Sequence, residues 1–302
     1  MISDLKASTT PEVKDVTNAL FSQLMSVMGL KHPTWVTRCL YPFFFFPTQR
    51  MSRFLVDLDR NIAQNGWNLA VNQFLHHFVT SVHLQGEETI PKNGSLMVVC
   101  NHPAAYDVVI LAACIQRDDL KILASDIPLV QMLSNIAKHI IPVPYNIPDR
   151  LQTVRSTIQH LKNNGAILIF PRGNVEPDPV VSPGAEQSLS GWSPSIELFL
   201  RRVPQTISVV AIASGVLSGK WFNNPLIKRW KKYEQRQKVA EIFQVASQLL
   251  TGVKPTATPM VSFSTPLTLS ELGGEKNPDG TILASLTDQA RRLLSNQPSI
   301  LN

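Results

Sequence analysis

The chain has few cysteines, and their arrangement excludes much. Cys39, Cys100 and Cys114 are odd in number and far apart among 302 residues. They match no zinc-ligand spacing and no disulfide framework, so reducing surroundings are expected rather than secretion. The opening stretch "MISDLKASTTPEVKDV" lacks the apolar core of a signal peptide. No run of about eighteen uncharged apolar residues occurs, the length a membrane-spanning helix needs; the greasiest window, 96–115, is broken by Asn101, His102, Pro103 and Asp107. There is no G-x-S-x-G nucleophile elbow, no cysteine in a nucleophile motif and no glycine-rich phosphate loop. Internal repeats and low-complexity tracts are missing too.

What is present is a core-forming composition, 44% hydrophobic and 17% charged, with an excess of cations. Lys and Arg number 28 against 22 acids, giving a net charge of +6. Such a balance favours anionic partners. Nucleic acid is not expected among them, because no zinc finger or aromatic RNA-binding pattern accompanies the charge.

Residues 11–85 read as helices, with apolar positions at helical spacing in "VTNALFSQLMSVMGL" and "NLAVNQFLHHFVTSV". Between them "LYPFFFFPTQR" is open to two readings: a buried connector, or a patch entering the lipid interface beside Arg50 and Arg53. From residue 96 the pattern alternates. "SLMVVC", "LKILAS", "AILIF", "TISVVAIAS" and "PMVSFSTPLTL" read as strands. "YDVVILAACI", "PLVQMLSNIA", "DRLQTVRSTIQHLKNN" (with Gly165 as its cap), "GWSPSIELFLRR" and "DGTILASLTDQARRLLSN" read as helices. Residues 225–250 read as one long helix. Its cations Lys228, Arg229, Lys231, Lys232, Arg236 and Lys238 either form a solvated face or meet anionic headgroups. This alternation predicts an α/β fold with a largely buried sheet. It divides the chain into an N-terminal helical extension, 1–85, and an α/β domain, 86–302.

Two short blocks carry the chemistry. In "NHPAAYD", 101–107, His102 falls where a strand ends and Asp107 where a helix begins, the place where α/β folds put ligand sites. A carboxylate in the first helical turn can reach back to one imidazole nitrogen and leave the other free as a base. With no enzyme nucleophile in sight, that base would deprotonate a substrate hydroxyl, which then attacks an activated carbonyl such as a thioester. The second block, "ILIFPRGNVEPD", 167–178, runs a buried strand into a turn at Gly173, where the backbone can approach a ligand closely.

In these two blocks, over about residues 80–215, the chain resembles the glycerolipid acyltransferases related to lysophosphatidic acid and glycerol-3-phosphate acyltransferases. That family shares an N-H-x-x-x-x-D block, here Asn101-His102 to Asp107, and an F-P-E-G block, here Phe170-Pro171-Arg172-Gly173. The resemblance implies a mixed sheet wrapped by helices. It implies His102 as general base and Asp107 as its orienter, with Asn101, Pro171 and Gly173 of the two blocks at the substrates; Arg172 or Glu176, which depart from the family's residues, is expected to contact the acceptor. It implies acyl-CoA or acyl-ACP as donor, a lipid acceptor, no metal or resident cofactor, and monotopic attachment to an anionic membrane surface on the cytoplasmic side.

This chain also departs from the pattern. Arg172 stands where the family has glutamate. The arginine that commonly follows would fall near Val175, with Glu176 just beyond. The middle block, where the family places a phosphate-gripping arginine, offers Tyr145 and Asn146. These changes leave open a non-phosphate lipid or other alcohol as acceptor, or a lipid-binding relative without catalysis. Arg172 retains a planar fork of donors suited to phosphate. "VVILAACI" and "PLVQML" either line an acyl channel or are simple core.

Overall fold

A computed structural model describes residues 11–29, 35–254, 258–274 and 280–297. The first ten residues of the polar opening stretch, and the side chain of Cys39, lie outside the described residues.

Seven strands form one sheet: β1 (His83–Gln85), β2 (Leu96–Cys100), β3 (Lys121–Ser125), β4 (Ile140–Val143), β5 (Ala166–Ile169), β6 (Ile207–Ser214) and β7 (Met260–Phe263). Their order is β1-β7-β6-β2-β5-β3-β4. Every pairing is parallel except β6 with β7, so the sheet is mixed, as the family resemblance implies. The two-residue period of a strand sorts its side chains onto two cores. Leu96, Val98, Cys100, Leu168, Val209 and Ala211 face one, under helices α2 (Trp35–Asn65), α3 (Trp67–Leu75) and α4 (Asp107–Ile115), while α1 (Val13–Val27) packs on α2 through Val16 and Val56. Met97, Val99, Ile167, Ile169, Val210 and Ile212 face the other, under the helices Arg150–Lys162, Ser195–Arg202 and Thr281–Ser295. Both faces are covered, so β2, β5 and β6 read as continuous apolar runs.

The N-terminal helices share this core. Leu58 and Ile62 of α2 and Ala70, Val71 and Phe74 of α3 pack in the same cluster as β2 and β6, and β1 closes one edge of the sheet against β7.

Several local expectations change. "LYPFFFFPTQR" is not a connector between helices but part of α2, which continues through Pro42 and Pro47. Each proline removes one ladder hydrogen bond. The helix splits the phenylalanines: Phe44 is buried, while Phe43 and Phe46 are 72% and 65% exposed. "PLVQMLSNIA" forms two short helices, Pro128–Met132 and Ser134–Ala137, parted at Leu133. Residues 225–250 are not one helix. A 3-10 turn, Ile227–Arg229, is followed by extended backbone at Trp230 and Lys232 before the helix Tyr233–Thr251. Lys228, Arg229, Lys231 and Lys232 therefore lie on a connection, not on a helical face.

Nor is Gly165 the helix cap. The helix ends at Lys162 with Asn163 as C-cap, and Asn164 takes the left-handed conformation at φ 61°. Gly165 is required by space instead. A Cβ there would lie 2.3 Å from Nε2 of His160, whose ring nitrogen is held 2.8 Å from the Asp119 carbonyl and 3.2 Å from that of Ala166. Gly165→Ala should therefore destabilise the fold by about 1–3 kcal/mol, as overpacking does. It should appear as a lower urea midpoint at unchanged m-value; an unchanged midpoint would mean that the ring swings away without cost.

Candidate active site

Because β5, β2 and β6 run parallel side by side, the loops leaving their C-terminal ends emerge together. These loops carry 101–106, 170–178 and 215–218, at the edge where such sheets bind ligands. The helix Tyr233–Thr251 ties the three together from above.

The two ends of "NHPAAYD" meet. His102 Nδ1 lies 3.0 and 3.1 Å from the two carboxylate oxygens of Asp107. Asp107 is fully buried, and its Oδ2 also accepts the Ala104 backbone N–H at 3.1 Å. A carboxylate can only accept, so Nδ1 carries the proton and Nε2 presents its lone pair. Nε2 makes no hydrogen bond within the chain among the described residues. The ring is tilted against Phe170, centroids 4.3 Å apart, and one-fifth of the side chain remains exposed. Burial opposes the imidazolium, but the Asp107 charge and hydrogen bond outweigh it, so the His102 pKa lies above the usual histidine value.

The residues expected at the substrates are placed unequally. Gly173 is exposed at φ 68°, and a Cβ there would meet nothing within 4 Å. The turn demands glycine for its backbone angle and faces open space. Arg172 is half-buried beside it and already has partners. Its guanidinium donates to the Tyr233 hydroxyl at 2.6 Å and to Glu234 Oε1 at 3.1 Å, and lies 5.8 Å from the Tyr233 ring centre. Pro171 is buried, and its carbonyl accepts the Ser193 N–H.

Asn101 and Glu176 require correction as substrate contacts. The Asn101 amide pairs with the Ala213 backbone, donating to its carbonyl at 2.9 Å and accepting its N–H at 2.8 Å; it locks the end of β2 to β6. Glu176 is fully buried. Its Oε2 accepts the His102 backbone N–H at 3.0 Å, and its Oε1 accepts the Trp192 indole N–H at 3.0 Å with the Ser188 hydroxyl also at 3.0 Å. The Glu176 N–H in turn donates to the His102 carbonyl at 2.7 Å. Both residues hold the loop that carries the histidine and have no surface to offer a substrate. Burial raises the Glu176 pKa, against the pull of these donors.

Sequence reasoning missed three side chains of the helix Tyr233–Thr251. Gln237 donates to the Pro103 and Glu176 carbonyls, joining the two motif loops. Glu241 accepts the N–H groups of Ala105 and Tyr106 at 3.0 and 3.1 Å, capping the start of α4 with negative charge. Gln244 accepts the Ser218 N–H at 2.7 Å and donates to the Tyr106 hydroxyl at 3.1 Å. They recur at intervals of four and three residues, on one helical face. The only signal in the sequence is that polar stripe, which a solvated helix would also show. Burial pushes the Glu241 carboxyl up to about 7 against the two backbone donors. With its folded pKa above the unfolded one, this group costs stability as pH rises from about 4.5 through 7. Asp178, also buried, accepts the Gly215 and Leu217 N–H groups at 2.9 and 3.0 Å and ties the second loop to the third.

Residues 81–190, the segment that contains both blocks, match the family described as Acyltransferase. No curated protein matches the chain. Among solved structures, the 1-acyl-sn-glycerophosphate (LPA) acyltransferase PlsC from Thermotoga maritima is similar at 15% identity, over 94% of this chain and 96% of that chain, with a TM-score of 0.43.

Proposed function

From an acyltransferase segment at residues 81–190, we propose that the chain transfers a fatty acyl group from an acyl-CoA or acyl-ACP thioester to a hydroxyl of a (lyso)glycerolipid-type acceptor. One observation carries this reading: a histidine whose Nδ1 is held by a buried carboxylate and whose Nε2 is unbonded at the sheet edge. Nε2 takes the proton of the acceptor hydroxyl as its oxygen attacks the thioester carbonyl. The tetrahedral intermediate then collapses, the C–S bond breaks, and the thiolate leaves with the proton held on the imidazolium. The acyl group ends as an ester, the carrier as a free thiol, and His102 is neutral again.

The acceptor has two readings. A phosphate-bearing lysolipid is the family expectation. The Arg172–Glu234 pair favours the alternative, an acceptor without phosphate, because a phosphate would first have to displace a carboxylate already in contact. No described helix is long and apolar enough to cross a membrane. The exposed Phe43 and Phe46, together with cations at 228–232, support peripheral attachment to an anionic, cytoplasm-facing bilayer surface.

The test is thiol release from acyl-CoA and acyl-ACP by the purified chain, with lysophosphatidate, monoacylglycerol and a glycolipid as acceptors. Acceptor-dependent release is expected. Saturable turnover of lysophosphatidate alone would reject the phosphate-free reading. Release from neither donor with any acceptor would reject acyl transfer and leave a lipid-binding protein.

A further inference from the structure

A groove of about 460 Å³ lies on the other side of the helix Tyr233–Thr251 from the catalytic loop. Trp221, Leu226, Ile227, Trp230 and Phe243 line it, with Arg229 among them. Its volume is within the roughly 300–1,000 Å³ of small-ligand sites. None of the residues discussed above as catalytic or loop-holding lines it.

Two further features surround this groove. The first is charge. Lys228, Arg229, Lys231 and Lys232 are exposed, and none of their side chains has an ion-pair or hydrogen-bond partner among the described residues. The nearest acid in sequence, Glu234, is engaged by Arg172. The second is the apolar cluster behind the groove wall. The groove wall Phe243 meets Phe44 edge-on at 5.6 Å and Trp221 at 6.1 Å. Phe44 is thus the buried root of the α2 segment whose Phe43 and Phe46 are bare, and Leu226, at the groove itself, is 67% exposed. An apolar trough, unpaired cations and bare aromatics together match one ligand chemistry: an acyl chain below an anionic headgroup.

We propose that the groove between the 221–230 turn and Phe243 binds one acyl chain of an anionic phospholipid taken from the bilayer surface, with Arg229 and its neighbouring lysines at the headgroup. The site is separate from the reacting centre. It rests on the membrane-surface reading only for the source of the lipid.

The experiment uses the full chain with short-chain phosphatidylglycerol brominated on its acyl chains, at concentrations below micelle formation, and the matching phosphatidylcholine. Bromine quenches indole fluorescence on contact. The anionic monomer should quench, and a Trp221→Phe/Trp230→Phe variant should lose that quenching while Trp35, Trp67 and Trp192 still fluoresce. Arg229→Ala should weaken binding about five-fold, the worth of one cation near an anionic headgroup. Equal quenching by phosphatidylcholine with no effect of Arg229→Ala would overturn the headgroup assignment. No quenching of these two indoles by the anionic monomer would overturn the groove; co-sedimentation of the same chain with phosphatidylglycerol vesicles would then show a merely adhesive surface. The same titration in His102→Ala separates the two readings: lipid binding should persist there, and loss of acyl transfer without loss of quenching touches only the catalytic proposal.

Discussion

Replacing His102 by alanine should lower acceptor-dependent thiol release by about 10² to 10⁴, the range for removing a general base, while binding to anionic vesicles is kept. Undiminished turnover in a folded His102→Ala protein would remove the histidine from the mechanism. The expectation follows from the tautomer. Both Asp107 oxygens lie within 3.1 Å of Nδ1, so the base is Nε2 and it must be neutral to act. Because Asp107 holds the His102 pKa above the ordinary value, the acid limb of kcat/KM should lie above pH 6.5, and activity should fall as pH drops through it. In Asp107→Asn the charge is gone, so the limb should move to lower pH. The plateau should also fall, since an amide nitrogen facing Nδ1 favours the tautomer with its proton on Nε2. A lower plateau with an unmoved limb would mean that Asp107 shapes the loop and does not set the imidazole's charge.

The histidine and its aspartate were legible because their relation is local. Five residues of loop and one helical turn fix the contact, and the strand before and helix after announce themselves by their apolar runs. The sheet was legible for the same reason, since strands buried on both faces have no polar alternation to blur them. What was not legible is whatever depends on distant chain. Gln237, Glu241 and Gln244 meet the His102 loop from well over a hundred residues away, and nothing in their own neighbourhood distinguishes a helix face turned to backbone N–H groups from one turned to water. The same holds for Arg172: its position in the block suggests a free phosphate fork, while Tyr233 and Glu234, which engage it, belong to another helix. In "YPFFFFP" two prolines argue locally against a helix, yet α2 runs through them, with Phe44 packed on Phe243 and the following segment anchored to the core by Leu58 and Ile62.

Glu176 gives the sharpest contrast between a residue that grips substrate and one that positions the base. Glu176→Gln should lower kcat by about 10- to 100-fold and leave the acceptor KM near its original value. The inventory of donors requires a loss. His102 N–H lies on one carboxylate oxygen and the Trp192 indole N–H on the other, and both groups can only donate. An amide has a single accepting atom, so whichever way it turns, one buried donor faces an NH₂ group. Leaving such a donor unpaired costs about 1–3 kcal/mol. If the cost is met by a shift of the His102 backbone, each 1.36 kcal/mol of lost transition-state stabilisation is a factor of ten in rate. The backbone of residue 102 is held from both sides by residue 176, through its side chain and its own N–H, so the strain is delivered to the base itself. A Glu176 that contacted the acceptor would behave in the opposite way. Its loss would raise the acceptor KM with kcat intact, and that outcome would require the buried carboxylate to open toward the substrate during turnover.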